Sequence, residues 1–249
     1  MKGQLWSIII VLCLVQNVFC QKAYFQQKVN TKIDVRLDDI KHTLQGDCQI
    51  NYFNNSPDTL RFLYFNLWPN AYKHRSTRFA AQQIRNGQTD FYFSKEKEKG
   101  FLKDLDFQVD GKSLRYLEVN GSPDMVKVML ENPIFPNQSI TITTPLKLKI
   151  PNSFSRLGHV DNSYQITQWY PKPAVYDHKG WHPMPYLDQG EFYSEFGDFE
   201  VSITLPANYV VGATGELITD SEKAFINAKI AETEHLFLQN DSALYSKIV

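Results

Sequence analysis

The chain has 249 residues, a formal net charge of −1 at neutral pH and 43% hydrophobic residues, which is an ordinary composition for a globular protein. It has neither the basic excess of a nucleic-acid-binding protein nor an acidic tail. Aromatic residues are plentiful, with 17 Phe, 13 Tyr and 4 Trp, and they favour β structure over helix.

The first 20 residues have the pattern of a signal peptide. Lys2 precedes an apolar run, Leu5–Val15, that is too short to cross a bilayer as a helix. Val18 and Cys20 then occupy the −3 and −1 positions of a cleavage site before Gln21. We therefore predict a secreted or periplasmic protein with no membrane span after the signal is removed.

Alternating apolar and polar residues predict a series of β-strands. Residues 29–37 and 44–52 are expected to form a long antiparallel pair with one buried face. Residues 59–67 are apolar on both faces, as in a central strand. Residues 140–150 alternate most clearly, but Pro145 within them favours an edge strand or a bulge.

Cys48 is the single cysteine that remains after signal removal, so no internal disulfide can form. It falls on an apolar alternation, and this predicts a buried, unreactive thiol.

Helical signals are few. Residues 76–85 suit a short helix, and Thr219 with Glu222 forms a capping-box pattern before the helix formers of Ser221–Leu238. Many short strands with one late helix predict an all-β fold, a twisted antiparallel β-sandwich or saddle with a C-terminal helix.

Residues 164–205, called here the aromatic segment, are the most distinctive stretch. Prolines fix φ and remove backbone donors, so the middle of this segment is expected to be rigid and irregular. It ends on a period-two strand with Phe199, Val201, Ile203 and Leu205 on one face. Its rings are interpreted either as a binding surface or as a hydrophobic cluster under a long loop.

The common catalytic signatures are absent from the sequence, including H-E-x-x-H, G-x-S-x-G, the phosphate loop and the dinucleotide fingerprint. His178 and His182 are four residues apart, but Gly180 and Pro183 argue against a helix that would bring them together on a zinc ion. We therefore predict no metal site in this chain.

Carboxylates near the aromatic segment would suit a glycosidase only if two of them faced each other across a cleft. They are Asp177, Asp188, Glu191, Glu195 and Asp198.

Three stretches of sequence resemble a known family. Q-W-Y-P-K-P-A-V-Y-D at 168–177, G-E-F-Y-S-E-F-G at 190–197 and the strand-rich 199–217 are similar to the N-terminal β domain of the aminopeptidase-N family of zinc metallopeptidases, especially its secreted bacterial branch. The resemblance is specific at 164–217 and only a pattern before that.

After the predicted signal peptide at 1–20, the resemblance implies an aminopeptidase-N-like β domain at 21–217 and a helical segment at 218–249 that is a possible start of a missing catalytic domain. Zinc would belong to that absent domain, so no cofactor is expected in this chain. The implied partners are a peptide substrate or a catalytic domain, and the implied function is non-catalytic recognition of a peptide amino terminus.

The resemblance also names two substrate-binding residues. Gln168 matches the family's glutamine, and Tyr170 stands where many members carry a glutamate or glutamine. A phenol supplies no negative charge at neutral pH, but its hydroxyl can accept one hydrogen bond from an amine.

The alternative function is a stand-alone peptide- or carbohydrate-binding module that uses the rings of Trp169, Tyr170, Trp181 and Tyr186. A third interpretation is an inert scaffold that docks on a partner chain.

Overall fold

The computed structural model describes residues 24–238, and the predicted signal peptide lies outside this range. The chain divides into two compact units, one reaching to Ala207 and one beginning at Asn208. The structure is mostly β, in several mainly antiparallel sheets, with one C-terminal helix. The predicted all-β class is confirmed.

Residues 24–238 contain fifteen strands. They are β1 (Lys28–Asp38), β2 (Thr43–Phe53), β3 (Leu60–Asn66), β4 (Phe101–Lys103), β5 (Gln108–Val109), β6 (Lys112–Ser113), β7 (Tyr116–Val119), β8 (Ser122–Ile134), β9 (Ser139–Lys149), β10 (Gly158–Val160), β11 (Ser163–Gln165), β12 (Lys172–Pro173), β13 (Val175–Asp177), β14 (Gly180–His182) and β15 (Phe199–Thr204). The helices are α1 (Arg78–Arg85), α2 (Asp90–Phe93) and α3 (Asp220–Leu238), with 3-10 helices at Trp68–Tyr72 and Glu96–Glu98.

Two larger sheets make up the body of the first unit. Seven strands form one of them, in the order β15-β1-β2-β9-β5-β6 with β4 also paired to β9. Four strands form the other, in the order β12-β3-β8-β7. The hairpins β10–β11 and β13–β14 stand beside them as separate two-stranded sheets.

The core lies between the two larger sheets. The alternation of β1 and β2 buries one face of their antiparallel pair, as predicted, with Ile33 opposite Cys48. From the second sheet, the Phe65 ring packs 4.7 Å from the ring of Phe107. Burying a side chain of this size stabilises the fold by about 1.5–3 kcal/mol. Cys48 is buried, so that part of the prediction is confirmed. Burial also raises the pKa of its thiol to about 12.

Pro145 does not lie on an edge strand, so that part of the prediction was wrong. β9 is internal, with β2 on one side and both β4 and β5 on the other. β4 pairs with residues 147–149 and β5 with Thr143, so neither of them pairs with Pro145. A residue that cannot donate a hydrogen bond is tolerated in this gap between two short strands.

The strand predicted at the end of the aromatic segment is present as β15, and its apolar face is exposed. Phe199, Val201 and Ile203 remain 51%, 43% and 39% exposed. β15 is the outermost strand of its sheet and pairs parallel to β1, which departs from a purely antiparallel arrangement. The period-two pattern identified the strand, but its burial depends on what packs over the sheet edge.

A glycine permits the close approach of this edge strand to β1. A Cβ atom on Gly197 would lie 1.7 Å from the carbonyl oxygen of Val29, far inside contact distance. One residue later, the Asp198 carbonyl accepts a 2.8 Å hydrogen bond from the Thr31 N–H. The G-E-F-Y-S-E-F-G run therefore ends on a glycine that the backbone packing requires.

Two stacked histidines join the β1–β2 turn to the β10–β11 hairpin. The His42 and His159 rings are 3.7 Å apart between centroids and nearly parallel, at 13°. His42 Nδ1 and the Tyr164 hydroxyl share a 2.7 Å hydrogen bond, and the His159 Nδ1–H donates to the Asp161 carbonyl. Burial lowers the pKa of His159, and the neighbouring His42 lowers it further, although the hydrogen bond to Asp161 opposes this.

This pair predicts a loss of stability in mild acid. Because the folded-state pKa of His159 lies below its ordinary value of 6.5, the unfolded chain binds more protons as the pH falls through that window, and unfolding becomes more favourable. His159→Phe keeps a stacked ring without the charge, so we expect it to flatten the dependence of the unfolding free energy on pH between about 7 and 5. Urea titrations at several pH values measure this. The control is His178→Asn, at an exposed histidine, and an equal flattening in that variant would contradict the assignment.

The second unit contains α3. The predicted helix is confirmed, and it begins one residue earlier than expected, at Asp220. The Lys223 N–H donates to the Thr219 carbonyl at 3.0 Å across the first turn. Two of its large apolar side chains, Phe225 and Ile230, are 44% and 50% exposed. None of the helices within residues 24–238 has the length and apolar character needed to cross a membrane.

Candidate functional site

Gln168 and Tyr170 lie on the irregular connection between β11 and β12. Gln168 has φ of 54°, in the left-handed region that costs free energy for any residue other than glycine. Its neighbour Thr167 is fixed by a 2.5 Å hydrogen bond from Oγ1 to the Arg156 carbonyl. Within residues 24–238 the Gln168 side chain makes no hydrogen bond.

Tyr170 is half-buried among other aromatic rings. Its ring meets Trp169 and Phe199 edge-on, each at 5.9 Å between centroids. Burial raises the pKa of its hydroxyl, with a smaller contribution from Cys48. The phenol is therefore neutral at physiological pH and can both accept and donate a hydrogen bond.

A narrow cavity opens beside Tyr170, where β1 and β15 approach β12. Its lining includes Lys172 and Glu195. Burial raises the pKa of the Glu195 carboxyl, although hydrogen bonds from the Gln26 side chain and the Gln27 backbone oppose this. From the sequence, Glu195 is only one of several loop acids, and Lys172 is not among the candidate site residues. The signal that could have drawn attention to Lys172 is its place between Pro171 and Pro173, two residues after Tyr170.

Asp177 is held by three donors and so is not a free catalytic acid. Its carboxylate accepts from His182 Nε2 at 2.8 Å, from the Lys179 N–H at 2.7 Å and from the Tyr193 hydroxyl at 3.1 Å. Burial raises the pKa of Asp177, but these hydrogen bonds outweigh burial and leave it below its usual range. The network closes the β13–β14 hairpin, and His178 stays exposed outside it.

The four rings that would form a binding platform do not share one exposed surface. Tyr186 is 1% exposed, in the core beside Tyr72 and Phe79. Trp181 is half-buried and packs against Tyr176, at 4.9 Å between ring centroids. Burial removes Tyr186 from the predicted platform because a ligand cannot stack on a ring that solvent does not reach.

A buried carboxylate, Asp124, anchors the middle of the aromatic segment to the second sheet. Oδ2 of this fully buried residue accepts from the Tyr186 N–H at 2.7 Å, and Oδ1 accepts from the Ser122 hydroxyl at 2.6 Å. Burial raises the pKa of Asp124, and these hydrogen bonds offset part of the cost. Nearby, the Met184 carbonyl accepts from Trp68 Nε1 at 2.9 Å. Backbone groups outside regular strands are thus satisfied by side chains.

We predict that Asp124→Ala lowers the unfolding free energy by roughly 2–3 kcal/mol, because it leaves the buried Tyr186 N–H without its charged acceptor. Urea denaturation followed by tryptophan fluorescence measures the loss. Glu118→Ala, at an exposed position on β7, serves as the control. The anchor role is wrong if both variants unfold at the same urea concentration as the wild type.

Residues 24–238 do not fit a zinc ion. In this part of the chain no three His, Cys, Asp or Glu side chains come together in a cluster that could hold a metal. His182, the histidine nearest to the aromatic rings, is committed to Asp177 through Nε2.

No protein-family model matches the chain, and no curated protein matches it. Solved structures that match it include the M1 zinc metallopeptidase from Deinococcus radiodurans, with 15% identity over 80% of this chain, 36% of that chain and a TM-score of 0.40. A mutant of that enzyme bound to a Tyr-Ser-Ala substrate matches at 13% identity over 78% of this chain and 36% of its own, with a TM-score of 0.42. A two-domain M1 zinc metallopeptidase mutant bound to L-arginine matches at 15% identity over 80% of this chain and 36% of its own, with a TM-score of 0.39. This chain therefore spans little more than a third of the length of these solved chains.

Proposed function

We propose that this chain is the non-catalytic N-terminal β domain of a secreted zinc metallo-aminopeptidase-like protein and contributes to recognition of a peptide amino terminus. The motifs at 168–177 and 190–197 support this proposal, since they resemble the corresponding segments of the aminopeptidase-N family. The β architecture is consistent with it: the motif at 168–177 includes the edge strand β12, and the motif at 190–197 leads into the edge strand β15.

The observation that carries the proposal is the conformation of Gln168. A left-handed glutamine is strained, and strain of this kind persists where the surrounding structure enforces it, often at a ligand site. Here it coincides with a side-chain amide that forms no hydrogen bond within residues 24–238. Two residues later, Tyr170 lines a small cavity.

Both groups suit an ammonium ligand. The Gln168 amide oxygen and the Tyr170 hydroxyl oxygen can each accept a hydrogen bond from an α-amine. Because neither acceptor carries a charge, each bond lacks the ion-pair attraction that a carboxylate would add. We therefore expect weak binding that depends on the amine but does not require an acid at position 170.

The test uses the full chain and a tripeptide with an amidated carboxyl end, so that the amine is the only terminal charge. We expect Ala-Ala-Ala-amide to shift the backbone NMR signals around 168–170 and its N-acetylated form to leave them unchanged. Gln168→Ala and Tyr170→Phe should each weaken binding by about 2- to 10-fold, the loss of one hydrogen bond.

Gln165→Ala provides the matched control, since Gln165 is an exposed glutamine on the neighbouring strand β11. Equal binding of the acetylated peptide, or an equal loss in the control variant, would refute amine recognition by these residues.

A separate assay addresses the non-catalytic role. We expect no hydrolysis of aminoacyl-anilides by the purified chain, with or without added zinc, because residues 24–238 bring no metal-ligating cluster together. Zinc-dependent turnover that a chelator abolishes would contradict the proposal.

A further inference from the structure

Lys172 is a half-buried cation that takes part in none of the ion pairs formed within residues 24–238. Its ammonium nitrogen lies 5.6 Å from the ring centroid of Trp68 and 5.9 Å from that of Tyr170. Rings attract a cation through their faces, but they do not neutralise it. A lysine withdrawn from water without an anionic partner is unusual, because burying an uncompensated charge costs free energy.

The same lysine lines the cavity beside Tyr170. The cavity has a volume of about 10 Å³, which is room for one water-sized group. Its walls are largely apolar. The residues that line it with Lys172 are Val29, Thr31, Tyr170, Pro173, Glu195 and Phe199.

Glu195 does not compensate the charge of Lys172, although both residues line the cavity. Its carboxyl accepts hydrogen bonds from the Gln26 side chain and the Gln27 backbone. The pKa of Lys172 is lowered by burial alone, without an opposing contribution from Glu195. Within residues 24–238 no carboxylate therefore forms an ion pair with the Lys172 ammonium.

We propose that this cavity is an anion site in which Lys172 binds one carboxylate group of a ligand. A single carboxylate oxygen matches the room available, and a carboxylate loses less hydration than a doubly charged phosphate on entering apolar walls. The ammonium then gains a charge-assisted hydrogen bond that residues 24–238 do not provide. This site goes beyond the proposed recognition of a peptide amine, since it selects the opposite charge.

The probe for this site is sodium acetate, measured against sodium chloride at the same ionic strength and against neutral acetamide. We expect about 100 mM acetate to raise the Tm of the full chain by about 2–4 °C, since it binds only the folded state. Carbon NMR of the lysine Cε signals should show the pKa of Lys172 rising when acetate is present, because the bound anion favours the charged amine.

Lys172→Met keeps the stem of the side chain and removes its charge, so the acetate response should disappear. Lys127→Met is the matched control, because the Lys127 ammonium also lies over an aromatic ring, 3.7 Å from the centroid of Phe62, but does not line this cavity. That variant should respond to acetate as the wild type does.

An equal Tm rise with acetamide, or an acetate response that survives in Lys172→Met, would overturn the site. An unchanged pKa of Lys172 in the wild type would do the same without any variant, so the conclusion does not depend on the variant folding.

Peptides then identify the source of the carboxylate. Under the proposal, Ala-Ala with a free carboxyl end or Asp-Ala-amide competes with acetate, whereas Ala-Ala-amide does not. If only Ala-Ala competes, the site binds the carboxyl terminus of a peptide. If only Asp-Ala-amide competes, the site binds an acidic side chain. Acetate binding without binding of the amine-bearing tripeptide would support this anion site while contradicting the proposed recognition of a peptide amine.

Discussion

The hydrogen bond between the Asp124 carboxylate and the Tyr186 backbone N–H is the contact on which the aromatic segment most depends. Between β14 and β15 the chain runs through residues 183–198 without regular secondary structure, so its backbone groups need partners from elsewhere. Asp124 on β8 accepts a hydrogen bond from the Tyr186 N–H, and the Trp68 indole donates one to the Met184 carbonyl. A buried carboxylate is costly in itself, but here its oxygens are satisfied by Tyr186 and Ser122.

The strands and their buried faces could be predicted from the sequence where a strand is covered on one face only. β1 and β2 alternate between apolar and polar residues and are covered on a single side, so periodicity alone identifies both the strand and the buried face. β15 has the same periodicity, yet all six of its residues are exposed. Pro145 was misplaced for a related reason, because two short strands leave a gap that the rule for proline in sheets does not foresee. Periodicity describes a strand, whereas its neighbours determine its environment.

The candidate site was only partly within reach of the sequence. Gln168 and Tyr170 were identified from a sequence motif. The structure shows that Gln168 has a left-handed backbone conformation and that Tyr170 packs edge-on against a neighbouring ring and lines a small cavity. Lys172 and Glu195 join that cavity from segments separated by more than twenty residues, a proximity that depends on tertiary structure. The burial of Tyr186 was equally out of reach, since the ring is buried through contacts with Tyr72 and Phe79 more than a hundred residues earlier. The sequence shows where the aromatic residues are, but the fold determines which of their rings are exposed to solvent.

The pairing of β15 with β1 also has a consequence for biosynthesis. Lys32 and Glu200, which form an ion pair across these strands, are 168 residues apart in sequence. Contacts of such separation form late, because a long stretch of chain must first be closed. While a ribosome is still adding the residues in between, the outer edge of β1 is uncovered and can pair with another nascent strand. Pairing of β15 with β1 covers this edge and so prevents such aggregation. Gly197 permits that pairing, because it allows the chain before β15 to contact the Val29 backbone.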